Sequence, residues 1–377
     1  MRHGDARVDT FASTLFAGPG RSADFTGRGA ESRRRTMPYA APMEATSGSD
    51  SRGALVSELV SELDAVVVGG GPAGLNAALA FGRARRRVLL VDGGVPRNAR
   101  AAEVHTFVTR DGIPPAEFRA IGRAQLTPYP SVEVRDAFVT SIVRDGASFV
   151  VTAGDAKVRA RKLLLAVGVR DELPPIEGLA DHWGHSVFQC PYCHGWEHRD
   201  LAWGVVVGSP MMAEWAPLLT GWTDRLTAFV HGVTIPADVA ERLTAAGVVL
   251  EREAITRLVS GAPHGSSAPS LASVVLESGR VVPCSALVMH PKQHAAAVVD
   301  ELGLARDDLG YVKVDERRES SVPGVYVAGD ANTMRQGAIV AAADGLMAAT
   351  MMNHALVLED VARRVARRPS NAASGAT

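Results

Sequence analysis

Short apolar runs closed by glycine alternate along this chain with longer stretches of helical periodicity, the pattern of an α/β protein built around buried parallel strands. Asp64-Ala-Val-Val-Val68 is the first run. Gly69-Gly70-Gly71-Pro72-Ala73-Gly74 follows at once, then an Ala/Leu-rich helical stretch through Phe81 and a second strand, Arg87 to Val91, ending in Asp92. A helix is expected over Pro115 to Leu126, and Val132 to Val139 with the strands flanking Asp145-Gly146 suggest a small inserted β-meander, left by the buried strand of Lys162 to Gly168. The pattern then restarts: strand Leu201 to Val207, helical stretch Met211 to Gly221, strand Leu226 to Val230. Near the other end, Ser321 to Asp330 reads as turn, strand and acid, and Gln336-Gly337 opens a helical run from Ala338 to Met352.

The predicted fold is therefore α/β with two Rossmann-like dinucleotide-binding domains of three layers. The first is discontinuous, residues 61–173 and 290–360, and carries the meander; the second spans 174–289, with Pro174-Pro175 and His290-Pro291 at the crossings. Residues 1–60, rich in Arg, Ser, Gly and Ala and without periodicity before Leu55, are expected to be a disordered extension, and 361–377 a flexible tail.

Composition narrows the class. A chain of 377 residues, 46% hydrophobic, has room for two cores, and a formal net charge of -1 shows no basic excess that would suggest nucleic acid or an anionic membrane. No apolar run reaches the length of about 18 residues that a membrane span needs. Arg33-Arg34-Arg35 evokes an export signal, but Thr36 to Ser51 holds no apolar region. Three cysteines in so long a chain point to a reducing cytoplasm, where a close thiol pair is catalytic or metal-binding.

The first glycine loop has the context that dinucleotide binding requires. Gly69 makes the tight turn, Gly71 lets backbone approach a pyrophosphate, and Gly74 lets helix pack on strand, while the helix start at Pro72-Ala73 offers free N–H groups to the anion. Asp92, eighteen positions after Gly74, is placed to accept from a ribose hydroxyl. Arg97, Asn98 and His105 lie in the loops that follow this strand, on the side facing a ligand. The second unit lacks these features: Gly208 is present, but Pro210 and Ala213 take the next two glycine positions, and the strand to Val230 ends in His231-Gly232 with no acid. Proline there presents a ring and no N–H, which argues against NAD(P)H.

The remaining chemistry sits in Cys190-Pro-Tyr-Cys193-His194-Gly-Trp-Glu197. Two thiols three positions apart form a redox pair or half a zinc site, and His182, His185, His194 and His198 crowd them. The loop is shorter than zinc fingers use, so no metal is expected. His194 is the candidate base, since imidazole titrates near neutral pH, with His198 as a helper. Trp183, Tyr192 and Trp196 are read as packing around the thiols, and Cys284 as a small buried hydrophobe.

From about Leu63 to Leu358 these motifs resemble the low-molecular-weight thioredoxin reductases, FAD-dependent disulfide oxidoreductases. His194 after the second cysteine, where that family usually has aspartate, and the eroded second glycine loop are similar instead to the dithiol oxidases of gliotoxin and holomycin biosynthesis. The resemblance implies FAD as cofactor, with Gly329-Asp330 at its ribityl or pyrophosphate region, Gln336-Gly337 capping the flavin ring, adenine near Val139, and Ala166 along the site. It implies Cys190 as the outer sulfur attacked by a small-molecule dithiol, Cys193 as the sulfur passing electrons to FAD, molecular oxygen as acceptor with hydrogen peroxide as by-product, and a homodimer. An NAD(P)H-dependent reductase and a non-catalytic redox sensor are the competing expectations.

Overall fold

The computed structural model describes residues 62–262 and 270–367, all within one compact unit, and the expected extension 1–60 lies outside them. β1 (Leu63–Val68) enters between β2 (Val88–Asp92) and a later strand, and because both its faces are covered it reads as an unbroken apolar run. Ala65 and Val67 face one core and Val66 and Val68 the other. α1 (Pro72–Arg83) follows the glycine loop, with proline in its first turn setting φ. α2 (Pro115–Ala124) leads to β3 (Val132–Asp136), which pairs in parallel with β2. This corrects the expected meander, which begins only at β4 (Val139–Asp145) and continues through β5 (Ser148–Ala153) to β6 (Ala156–Leu165). β6 serves two arrangements. Its first half pairs antiparallel with β5 and its second half parallel with β1.

β7 (Val169–Glu172) carries the chain out. The second domain holds α3 (Leu179–His182), β8 (Val187–Phe188), α4 (Pro191–His194), β9 (Trp203–Val206), α5 (Pro210–Trp215) with a 3-10 continuation Ala216–Gly221, β10 (Leu226–Phe229), α6 (Ala237–Ala245) and β11 (Val249–Glu251). β12 (Ile255–Gly261), β13 (Ser270–Leu276) and β14 (Val281–Pro283) form an antiparallel sheet, and β15 (Ala286–Val288) returns to the parallel one, ordered β11-β10-β9-β15-β8. Cys284 is buried between β14 and β15 with its S–H donating to the Ala286 carbonyl, and burial pushes its thiol up to about 12.

β16 (Lys292–Ala295) pairs antiparallel with β7, so a two-stranded ribbon joins the domains. After α7 (Ala297–Glu301), β17 (Val325–Val327) lies beside the second half of β6, and α8 (Ala338–Ala366) packs on α1. α8 runs past the expected domain end at 360 and takes six residues of the expected tail.

Candidate active site

Phe188 ends β8 in the core, and Gln189 leads to Cys190, which occupies the N-cap of α4. Pro191 at the first helical position fixes φ for a single turn, and Cys193 N–H donates to the Cys190 carbonyl at 3.2 Å. The two cysteines are joined as a disulfide with Cα atoms 5.3 Å apart. Gly195 ends the turn. A Cβ there would lie 2.4 Å from the Pro191 carbonyl oxygen and 2.9 Å from the rings of Trp203 and Trp222, so the turn closes against the tryptophans only because this residue has no side chain.

His194 stacks on Phe188, centroids 5.2 Å apart, and neither of its buried ring nitrogens makes a well-formed hydrogen bond. Burial, reinforced by nearby His198 and His105, lowers its pKa to about 4, with the Cys190 carbonyl opposing in part. The expected titration near neutrality is therefore corrected: the ring is neutral at pH 7. His182 is held at both nitrogens, Nδ1 by Ser186 and Nε2 by Ser260, each at 3.1 Å, as a satisfied structural histidine. The aromatics divide. Trp183 packs on the second domain's core, but Tyr192 and Trp196 are 60% and 67% exposed, so they do not pack around the thiols as expected. Tyr192 meets Trp222 edge-on, and the Arg199 guanidinium covers the Trp196 ring at 4.0 Å.

The glycine loop lies at the end of β1. Gly69 has φ +107°, and a Cβ on it would lie 2.3 Å from the carbonyl oxygen of Ala166, which places Ala166 on the wall of the loop. A Cβ on Gly74 would run into the Gly69 carbonyl, and one on Gly70, which sequence reasoning passed over, would lie 2.2 Å from the Asp92 carboxylate. Gly71 faces open space with nothing within 4 Å of its would-be Cβ, and it caps α1 without any side-chain hydrogen bond. Across the loop stands Gly329 (φ +81°), where a Cβ would lie 3.1 Å from the Ala73 side chain. Its N–H donates to Asp344 of α8 at 2.9 Å, as does the Asn332 amide, and Arg318 pairs with the same buried carboxylate. A mid-helix acid carries no motif, so this anchor was invisible in the sequence.

Four predicted cofactor residues have partners within the protein. Asp92 accepts from Arg119 at 2.6 Å, Arg123 at 3.2 Å and the Gly94 N–H at 3.0 Å, which hold its carboxyl low against the opposing effect of burial. His105 lies between Glu103 and Asp111, with Nε2 3.6 Å from Glu197 of the cysteine motif. Val139 packs half-buried on the sheet's second core, and Asn98 closes a turn through its carbonyl to Ala101 N–H. Arg97 reaches Asp330 and Gln336, and also Asp171 and Gln189, which had not been singled out. Asp330 is raised by burial, against the pull of Arg97.

The residues present fit a bound dinucleotide flavin. Gly71 offers bare backbone and an uncapped helix start to a pyrophosphate, Gly329-Asp330 stand opposite, and two orphaned imidazole nitrogens sit beside the disulfide. α5 presents the contrary picture. Its N-cap is Ser209, whose Oγ accepts from Met212 N–H at 3.3 Å, so a side chain already occupies this helix start.

A redox disulfide on one helical turn, in the second of two ribbon-joined dinucleotide-type sheets, defines a disulfide oxidoreductase of the thioredoxin reductase type. The chain belongs to the pyridine nucleotide-disulphide oxidoreductase family, whose model matches residues 63–345. It is 32% identical to the thioredoxin reductase sirT of Leptosphaeria maculans, over 81% of this chain and 97% of that one. To the thioredoxin reductase tcpT of Claviceps purpurea it is 31% identical, over 79% and 95%. Among solved structures it is similar to HlmI, at 35% identity and TM-score 0.75, covering 81% of this chain and 96% of that one.

Proposed function

We propose that this protein is an FAD-dependent dithiol oxidase that closes an intramolecular disulfide in a small natural product, with molecular oxygen as acceptor and hydrogen peroxide as by-product. The contrast between its two helix starts carries this reading: both helices begin with proline, but the N-cap of α1 is the bare Gly71, open to a dinucleotide, whereas the N-cap of α5 is Ser209, whose side chain already takes the Met212 N–H, which favours electron entry through the thiols over entry from NAD(P)H. The resemblance of the Cys190–Glu197 motif to the dithiol oxidases of gliotoxin and holomycin biosynthesis supports a small-molecule dithiol over a protein disulfide.

A substrate thiolate attacks Cys190, the Cys190–Cys193 bond breaks, and Cys193 leaves as a thiolate. His194, neutral while the disulfide is intact, becomes a stronger base once that anion forms beside it, so proton uptake is tied to disulfide opening. The second substrate thiol displaces Cys190 and closes the product disulfide. Cys190 and Cys193 then give up an electron pair and re-form their bond. Bound FAD would supply the two-electron acceptor, regenerated by oxygen.

The functional unit in this proposal is a homodimer. On α8, Ile339, Val340, Leu346, Met347, Val357 and Leu358 are each more than 40% exposed, an apolar stripe suited to a symmetric contact. Among the described residues no helix is long and apolar enough to cross a membrane. Anaerobic mixing tests the chemistry: a model dithiol should bleach the flavin while NADPH leaves it unchanged, and air should then yield one peroxide per disulfide. Bleaching by NADPH would make the protein a reductase.

A further inference from the structure

Arg97 sits on the loop after β2, and each of its five N–H donors is used. Nε and Nη2 grip Asp171 in a bidentate pair at 2.7 and 2.8 Å, and Nη2 also donates to Gln189 Oε1 at 2.6 Å. Nη1 donates to Asp330 at 3.0 Å and to Gln336 Oε1 at 2.6 Å. These four partners lie on three separate segments. Asp171 belongs to the outgoing strand of the ribbon, Gln189 immediately precedes Cys190, and Asp330 and Gln336 both lie in the connection between β17 and α8. A planar guanidinium is suited to this, because its donors point along fixed directions and a change at one partner is felt by the others.

The surrounding amides extend the junction. Gln293, on the returning strand of the ribbon, donates to Asp171 at 3.2 Å and to Gln189 at 3.1 Å, and its carbonyl accepts from Tyr311 at 2.8 Å and Gln336 at 2.8 Å. Gln189 Nε2 in turn lies 3.1 Å from both Gln336 Oε1 and His290 Nε2. Nearby, a Cβ on Gly184 of the second domain would lie 2.9 Å from the Arg100 side chain, so the two domains approach closely beside this network.

We infer that Arg97 is a positioning residue that pins the disulfide segment of the second domain to the first domain, through Gln189, while the same guanidinium fixes the ribbon at Asp171 and the loop at Asp330. Its contribution to turnover, which rests on the oxidase reading, is to hold Cys193 at transfer distance from the acceptor. The geometry of the pinned segment does not rest on that reading.

The test compares the wild-type full chain with R97A, R97K and Q189A, by backbone hydrogen exchange and by stopped-flow mixing of the FAD-loaded protein with dithiothreitol without oxygen. R97A and Q189A should expose the amides of residues 187–195 to faster exchange while β9 stays protected, and R97K, which keeps charge but not the bidentate fork, should restore protection only in part. Free thiols should appear at the wild-type rate in Q189A, while flavin bleaching slows about tenfold to a hundredfold. Wild-type protection of 187–195 in both R97A and Q189A would overturn the proposal. Should R97A lose FAD through Asp330, Q189A decides the kinetic part, and wild-type bleaching in Q189A would overturn it. A wild-type flavin that no dithiol bleaches would overturn the proposed function and leave the exchange result to judge the pin.

Discussion

Gly345 of α8 meets Ala73 of α1 so closely that a Cβ on Gly345 would lie 2.0 Å from the Ala73 carbonyl oxygen and 2.9 Å from its Cα. Backbone cannot yield as a side-chain tip can, so the helices must part or the methyl cannot be placed. Gly345→Ala should cost about 3 kcal/mol, at the upper end for overpacking. Because Ala73 also underlies Gly329, the same variant should bind FAD more weakly, which denaturant melts and flavin titration would measure separately.

Cys193→Ser removes the leaving thiolate and the electron donor together. Dithiol-dependent peroxide formation should fall to background, while FAD content stays at the wild-type level because no predicted contact to the dinucleotide is altered. Wild-type turnover in this variant would refute the proposed chemistry.

His194 makes a pH prediction with a definite sign. Its pKa is lowered from 6.5 to about 4 on folding, so between those values the unfolded chain binds more protons and stability falls as the pH drops. Above about 6.5 the effect is flat. His194→Phe, which keeps a ring against Phe188, should remove this slope, a difference on the order of 3 kcal/mol between the two ends of the window. Urea melts of both proteins across that range would measure it.

The exposed stripe on α8 predicts an assembly. Leu346→Glu combined with Met347→Glu should halve the mass seen by light scattering without changing the circular dichroism, since both side chains point away from the core. An unchanged mass would place the dimer contact elsewhere or remove it.

The parallel strands and the first glycine loop were legible because strands covered on both faces are continuous apolar runs and the loop's glycines are fixed by backbone proximity. β7 and β16 were not, since Val-Arg-Asp-Glu and Lys-Gln-His-Ala show no apolar pattern to read. The cysteine pair was visible as a motif, but the pKa of the neighbouring histidine depends on Phe188 and on burial that no local pattern encodes. Arg97 was marked by its loop position alone. Its partners Asp171, Gln189 and Asp330 are brought to it by the ribbon and the C-terminal return, and polar residues at such separations carry no shared signal.

β6 presents one edge to β1 along Ala160–Leu165, while its other edge is shared between β5 and, at Leu163–Leu165, the late strand β17. During synthesis that last stretch of edge stays open until the entire second domain has emerged. The second domain, continuous in sequence, can collapse first. A nascent chain therefore exposes the thiol pair before the proposed flavin site that would drain its electrons is closed, and a disulfide formed there early would need another two-electron oxidant.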